Sequence, residues 1–134
     1  MSDDTVEPVG PRLDPVIVDE GIALLGGGAK GIAFLREFAD TFETELPDML
    51  AELRVRIAQG DYAGASDLAH RIKQRAKTLG LVYLQEVGHR LERDPLSDWA
   101  ATVVAGLKGH ADAALDDLRA HFAERIAAWD RDAT

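Results

Sequence analysis

Apolar residues recur every three or four positions along most of the chain, and this spacing predicts amphipathic α-helices. Two stretches carry the pattern furthest, one from about Lys30 to Gln59 and one that closes the chain. No segment alternates apolar and polar residues over the length that a strand requires. The sequence therefore predicts an all-α protein. The two long stripes are Ile32, Leu35, Phe38, Phe42, Leu46, Met49, Leu53 and Ile57, then Val104, Leu107, Ala111, Leu115, Leu118, Phe122, Ile126 and Trp129.

Prolines, glycines and capping residues divide the pattern into one short helix and four longer ones. Asp14 and Pro15 suit the N-cap and first position of a short helix, which we expect to end by Leu25. Pro47 lies inside the second helix and is expected to kink or divide it. Asp61 suits the N-cap of the third helix. The remaining breaks fall at Gly26-Gly27-Gly28, at Gly60, at Gly80 and at residues 93–98.

Four long helices with short connections and one apolar stripe each indicate an antiparallel four-helix bundle with a short extra N-terminal helix. The length of 134 residues suits a single domain. We expect the bundle to occupy residues 13–130. Residues 1–12, which are rich in acids, proline and glycine, are expected to form a flexible tail.

The composition excludes several classes of function. A formal net charge of −9 argues against general nucleic-acid binding, for which a dominant basic patch is expected. The absence of cysteine excludes disulfides and thiolate metal sites. The N-terminus lacks the apolar core of a signal peptide, and no run of about eighteen apolar residues occurs anywhere. We therefore expect a cytoplasmic protein, or a soluble module beside a membrane, with no membrane partner. We also expect the protein to be a monomer.

A basic cluster on the third helix contrasts with this acidic background. Residues 69–80 read AHRIKQRAKTLG, and four cations follow His70 within seven residues. On a helical wheel at about 100° per residue, His70 lies opposite the apolar stripe. Lys73, Gln74 and Lys77 fall within about 60° of it. We predict that His70 is exposed on a basic helix face. The apolar stripe consists of Ala65, Leu68, Ile72, Ala76 and Leu79.

The wheel leaves two interpretations of His70 open. A mostly neutral imidazole offers a nucleophilic lone pair, and the surrounding cations suit an arriving anion such as a phosphoryl group. Alternatively, the residue belongs to an ordinary solvated surface, as most surface histidines and charge runs do. Exposure alone makes a site possible without identifying it.

Other motifs in the chain do not satisfy the requirements of their sites. Gly26, Gly28 and Gly31 match G-x-G-x-x-G, but dinucleotide binding requires a preceding strand, which the pattern lacks. A phosphate-binding loop also fails, because glycine and not serine or threonine follows Lys30, and no ATP site is visible. Glu86 and His89 have the spacing of half a di-iron site but point away from their helix's stripe of Leu81, Leu84, Val87 and Leu91. We predict no metal site and no Ser-His-Asp hydrolase.

The stretch AHRIKQRAKTLGLVYLQEVGHRLE, residues 69–92, resembles the signature of histidine-containing phosphotransfer (HPt) domains. The likeness extends over residues 13–129. With the stretch RDPLSDW and the closing helix, it is most similar to the HPt module of anaerobic-redox hybrid sensor kinases. The resemblance implies a four-helix bundle and a phosphorelay protein without an ATP site. The matching positions are Ala69, His70, Ile72, Lys73, Ala76, Gly80, Leu84 and Leu91-Glu92.

The resemblance implies a role for each site residue. His70 would accept a phosphoryl group from a receiver-domain aspartate and pass it to the aspartate of another receiver. Lys73 would stabilise the phosphoryl charge, and Glu92 would orient the imidazole by accepting a hydrogen bond. Mg²⁺ would belong to the receiver, so no cofactor is expected on this chain. The implied partners are response-regulator receiver domains and a hybrid sensor histidine kinase.

Two positions depart from the family's pattern. Gln74 stands where glycine is usual, and Lys77 stands where a small residue is usual. Together with Arg71 they lie on the face that the resemblance implies for receiver docking, so we expect an altered choice of receiver. The alternative is an HPt-fold scaffold or antagonist that binds a receiver or kinase without efficient phosphotransfer. The retained pair of His70 and Lys73 favours the relay.

Overall fold

The computed structural model of the chain describes residues 12–132, and this part consists of five α-helices without a strand. The predicted all-α class is confirmed. The predicted tail stays a prediction: residues 1–11 lie outside the described part, and Arg12 forms an ion pair with Asp117 at 3.0 Å. The helices are α1 Pro15–Leu24, α2 Gly28–Ala58, α3 Tyr62–Thr78, α4 Val82–Arg93 and α5 Asp98–Asp132.

The helices pack as an antiparallel bundle built on the two long members, α2 and α5. Arg119 of α5 binds Asp40 and Glu43 of α2, at 2.9 and 3.1 Å. The helices α3 and α4 form a hairpin that packs against one half of this pair. The short helix α1 packs on the N-terminal part of α2, where Ile22 lies against Gly31. None of these helices has an apolar stretch long enough to cross a bilayer within the described residues.

Capping side chains are present at the N-termini of α1, α3 and α5, where the sequence predicts helices to begin. The carboxylate of Asp14 accepts from the backbone N–H of Val16 at 3.0 Å, and that of Asp61 accepts from Gly64 at 3.0 Å. Ser97 caps α5, because its hydroxyl oxygen accepts from the N–H of Ala100 at 3.1 Å. These bonds satisfy N–H groups that have no partner inside the helix. Pro47 does not divide α2, which continues through it from Gly28 to Ala58.

The predicted apolar stripes form the core, with one correction in α2. Phe38 was predicted to be a core residue but is 36% exposed, whereas the adjacent Ala39 is fully buried. Phe38 lies at the edge of the stripe centred on Leu35, Phe42 and Leu46, since a step of about 100° per residue moves it out of the core. Ile126 and Trp129 at the end of α5 are partly buried against the core.

The helix α1 is held at its N-terminus and at its middle by contacts to distant parts of the chain. The N–H of Asp14 donates to the carbonyl of Gly80, in the α3–α4 turn, at 3.0 Å. At the middle of α1, Asp19 accepts from Nε2 of His121 at 2.8 Å and from Arg125 at 2.9 Å, both on α5. His121, on the flank of α5 that faces α1, is only 7% exposed. The wheel of α5 could not show that α1 covers this flank.

Gly31 allows α1 and α2 to cross at close range. A Cβ atom at this position would lie 2.2 Å from the backbone carbonyl oxygen of Ile22. A backbone atom cannot move aside as a flexible side chain can, so any larger residue must separate the two helices.

We predict that Gly31→Ala lowers the free energy of unfolding by about 1–3 kcal/mol, because the added methyl group overpacks the α1–α2 crossing. Gly109→Ala is the matched control, since a Cβ there meets nothing within 4 Å. That variant should gain up to about 1 kcal/mol from helix propensity. Urea unfolding of both variants provides the measurement. A Gly31→Ala protein as stable as the control variant would contradict the close crossing.

Candidate functional site

His70 lies on the outer face of α3, with its side chain 45% exposed. All five residues of the predicted apolar stripe of α3 are buried on the opposite side. The ring is therefore held on a rigid helix while one side of it remains open to solvent. This placement agrees with the exposure predicted from the wheel.

The C-terminal end of α4 is fixed to the start of α3 by two hydroxyl groups. Ser66 donates to the backbone carbonyl of Glu92 at 2.7 Å, and Tyr62 donates to that of Arg93 at 2.9 Å. The last carbonyls of a helix have no partner within the helix, so these bonds satisfy them. They also fix the position of Glu92 relative to α3.

Gly88 brings α4 close to α3 one turn before Glu92. A Cβ on Gly88 would lie 3.0 Å from both Cα and Cβ of Lys73. Only glycine leaves room for the two helices at this separation without a local shift. Sequence reasoning did not identify this residue, although a glycine within an otherwise apolar helix stripe indicates a close approach.

The carboxylate of Glu92 binds two residues of α3 at once. Its Oε2 lies 2.7 Å from Nδ1 of His70, and its Oε1 lies 2.5 Å from Nζ of Lys73. The hydrogen bond from Lys73 lowers the pKa of Glu92, and that from His70 lowers it further, against the opposing effect of desolvation. The carboxylate is therefore ionised at neutral pH. A third side chain, His89 of α4, has its Nδ1 4.0 Å from Oε1.

This contact determines which nitrogen of His70 is available. An ionised carboxylate only accepts hydrogen bonds, so Nδ1 of His70 carries the ring proton. In the neutral ring Nε2 then holds the free lone pair. None of the residues that the structure describes forms a hydrogen bond with Nε2. The site presents one imidazole nitrogen as a nucleophile.

Lys73 is less exposed than the wheel predicted. Its side chain is 17% exposed and its ammonium group is bound to Glu92. The wheel of α3 treats this flank as open, but α4 covers it because Gly88 permits close packing. The predicted pairing of His70 with Glu92 is present in the structure, and Lys73 joins it.

The basic cluster is partly neutralised by carboxylates from other segments. Arg75 pairs with Glu45 of α2 at 2.7 Å, and Arg71 lies 3.7 Å from Asp67 on its own helix. Lys77 forms no ion pair with any residue in the described part of the chain. Of the cations on this face, Lys77 is therefore the one whose charge is least neutralised by a neighbouring carboxylate.

A shallow cavity of about 380 Å³ lies between α3 and α4 beside this cluster. Both positions that depart from the HPt pattern, Gln74 and Lys77, line it. The cavity therefore joins the outer face of α3 to α4. The residues that line it are Lys73, Gln74, Lys77, Gln85, Glu86 and His89.

The other candidate residues of the sequence do not gather into a second site. Glu86 and His89 are exposed, and no group of three potential metal ligands occurs among residues 12–132. Gly26, Gly27 and Gly28 have positive φ values in the turn between α1 and α2, with no strand before them. His110 packs its ring against Tyr83 at 5.3 Å between centroids.

A family model described as "Hpt domain" matches residues 37–124. The match begins in the first third of α2 and ends in α5, and it contains the whole α3–α4 hairpin with His70, Lys73 and Glu92. It covers a shorter range than the resemblance read from the sequence and does not distinguish a subgroup of the family. No curated protein and no solved structure matches the chain.

The lowered pKa of Glu92 predicts a pH-dependent contribution to stability. A carboxylate whose pKa is lower in the folded state stabilises the protein above its unfolded value and loses this effect as the pH falls. Wild type should therefore exceed Glu92→Gln in free energy of unfolding at pH 7. This difference should shrink between about pH 5 and pH 3.

Urea unfolding at several pH values measures this difference. Glu86→Gln is the control, because Glu86 is an exposed carboxylate on the same helix. This substitution should give the same pH profile of stability as wild type. A difference between wild type and Glu92→Gln that stays constant down to pH 3 would show that the ion pair does not stabilise the fold.

Proposed function

The chain belongs to the HPt domain family, and we infer from this membership and from the site that His70 is its phosphoacceptor. HPt domains carry phosphoryl groups between receiver domains in two-component phosphorelays and are not ATP-binding kinases. The main support for His70 is the contact of its Nδ1 with Glu92, which leaves Nε2 available as the nucleophile.

We propose that transfer proceeds by direct displacement at phosphorus. The lone pair of Nε2 forms the N–P bond while the bond between phosphorus and the oxygen of a receiver aspartate breaks, and that aspartate leaves as a carboxylate. The reverse displacement by the aspartate of a second receiver returns the Nε2 lone pair. Such transfers depend on in-line positioning and on charge stabilisation, and Mg²⁺ on the receiver supplies part of the latter.

Glu92 acts on this step through the imidazole ring. When Nε2 forms its bond to phosphorus, the ring gains positive charge, and the carboxylate 2.7 Å from Nδ1 stabilises that charge. The same bond keeps the ring from rotating Nε2 away from the surface. A positioning role for Glu92 is thus supported by its contact, its ionisation and its fixed backbone.

Lys73 is proposed to stabilise the phosphoryl group from the side of α4. Its ammonium group is bound to Glu92 and lies on the same carboxylate as the ring of His70. Its charge therefore lies beside the carboxylate that holds the ring of His70 at Nδ1, even while it remains paired. The side chain of Lys73 is only 17% exposed, and this low exposure limits the screening of its charge by the solvent.

The outer face of α3 is proposed to dock the receiver. Arg71, Gln74 and Lys77 surround His70 on this face, and the cavity beside Gln74 and Lys77 extends it to α4. A basic surface suits the acidic pocket in which receivers hold Mg²⁺ and the phosphorylated aspartate.

We propose that the chain works as a cytoplasmic monomer and receives its phosphoryl group through a hybrid sensor histidine kinase, as in the anaerobic-redox relays.

We predict that wild type becomes phosphorylated by at least one pre-phosphorylated receiver domain with Mg²⁺ and that His70→Gln does not. The label should be stable to base and labile to acid, as expected for phosphohistidine. Because His70 is half-exposed and outside the core, the melting temperature of His70→Gln should stay within about 2 °C of wild type. His89→Gln is the matched control and should still accept the label.

Two outcomes would contradict this function. Labelling of His70→Gln would place the phosphoryl group on another residue. Binding to a receiver without any transfer to wild type would favour the scaffold or antagonist.

A separate check is Lys73→Ala, which should slow transfer about tenfold, because one charge that stabilises the phosphoryl group is lost. The variant should still fold.

A further inference from the structure

Gln74 and Lys77 follow His70 on α3 at spacings of four and seven residues. Residues four apart on a helix are neighbours on its surface, and the residue seven apart lies one turn further along the same face. Helical side chains lean toward the N-terminus of their helix, so both side chains extend back toward His70. Both also line the cavity between α3 and α4, which His70 itself does not line.

The side chains of Gln74 and Lys77 are the polar groups of this face that are least engaged in bonds to other residues of the described part of the chain. Lys73 is bound to Glu92 and Arg75 to Glu45. Lys77 forms no ion pair, and the side-chain amide of Gln74 forms no hydrogen bond, with residues in the described part of the chain. A cation and an amide donor are therefore free to bind an anion that arrives next to Nε2.

We propose that Gln74 and Lys77 bind the phosphoryl group on His70 directly, Gln74 by donating a hydrogen bond and Lys77 by charge. This inference rests on the proposed phosphorylation of His70. It assigns the two residues a role in holding the phosphoryl group that is separate from any contact with a receiver. The open space of the cavity leaves both side chains room to turn back along α3 toward the phosphoryl oxygens.

The charges around the site explain why a further cation is useful. Glu92 and Lys73 together carry no net charge, so the carboxylate offsets much of the help that Lys73 gives. A phosphoryl group adds about two negative charges and three acceptor oxygens at neutral pH. Lys77 forms no ion pair in the described part of the chain, so its positive charge on the same face is available to the phosphoryl group. Gln74 supplies a donor one helical turn from His70.

Phosphoramidate tests this proposal without a receiver. The lone pair of His70 Nε2 bonds to phosphorus while the P–N bond of phosphoramidate breaks, and the electron pair of that bond leaves on ammonia. The Nδ1 proton stays in the hydrogen bond to Glu92. The rate of phosphohistidine formation and its lifetime after removal of the donor can both be followed by ³¹P NMR.

Lys77→Met and Gln74→Met keep the length and helix propensity of the side chains but remove the charge and the amide. Each should slow formation by phosphoramidate or shorten the phosphohistidine lifetime by about threefold to tenfold, as the loss of one partly exposed polar interaction would. Lys77→Met should also raise the pKa of the phosphoryl group in a ³¹P titration, because a cation favours the dianion. Lys77→Arg should restore both values.

Lys30→Met is the control for net charge, since it removes the same charge from an exposed position in the first turn of α2. It should behave as wild type. The proposal would be overturned if Lys77→Met and Gln74→Met left the rates, the lifetimes and the phosphoryl pKa unchanged but altered transfer from receivers. The two residues would then act only in docking the receiver. Failure of wild type to react with phosphoramidate or any receiver would instead contradict the proposed function itself.

Discussion

The site depends on one ionised carboxylate that joins two helices. Glu92 of α4 accepts from His70 and from Lys73 of α3, and the bond from Lys73 is the main reason that its pKa is lowered. The ionisation assigns the ring proton to Nδ1 and leaves the lone pair of the neutral ring on Nε2, the nitrogen that we propose as the nucleophile. The tautomer of this ring is therefore a consequence of a charge held on the neighbouring helix.

That carboxylate is in place because of backbone features of the α3–α4 hairpin. Gly88 removes the side chain that would keep the helices apart, and the hydroxyls of Ser66 and Tyr62 hold the last carbonyls of α4. Neither feature contributes chemistry of its own. They determine the distance and register at which Glu92 meets His70, so the precision of the site comes from helix packing.

The sequence predicted the features that depend on a single helix. The helix boundaries, the caps at Asp14 and Asp61, the core stripe of α3 and the exposure of His70 all follow from local pattern and agree with the structure. The pairing of His70 with Glu92 was expected only from family resemblance. The partial burial of Lys73, the burial of His121 and the role of Gly88 depend on how neighbouring helices pack, and a wheel of one helix carries no information about its neighbours.

The most direct test of the role of Glu92 is ¹⁵N and ³¹P NMR of the histidine-labelled protein after phosphorylation. We predict that phosphorus is bonded to Nε2 of His70, with Nδ1 protonated and its proton in the hydrogen bond to Glu92. Phosphorus on Nδ1 of His70, or on His89, His110 or His121, would contradict the claim that Glu92 selects the reactive nitrogen.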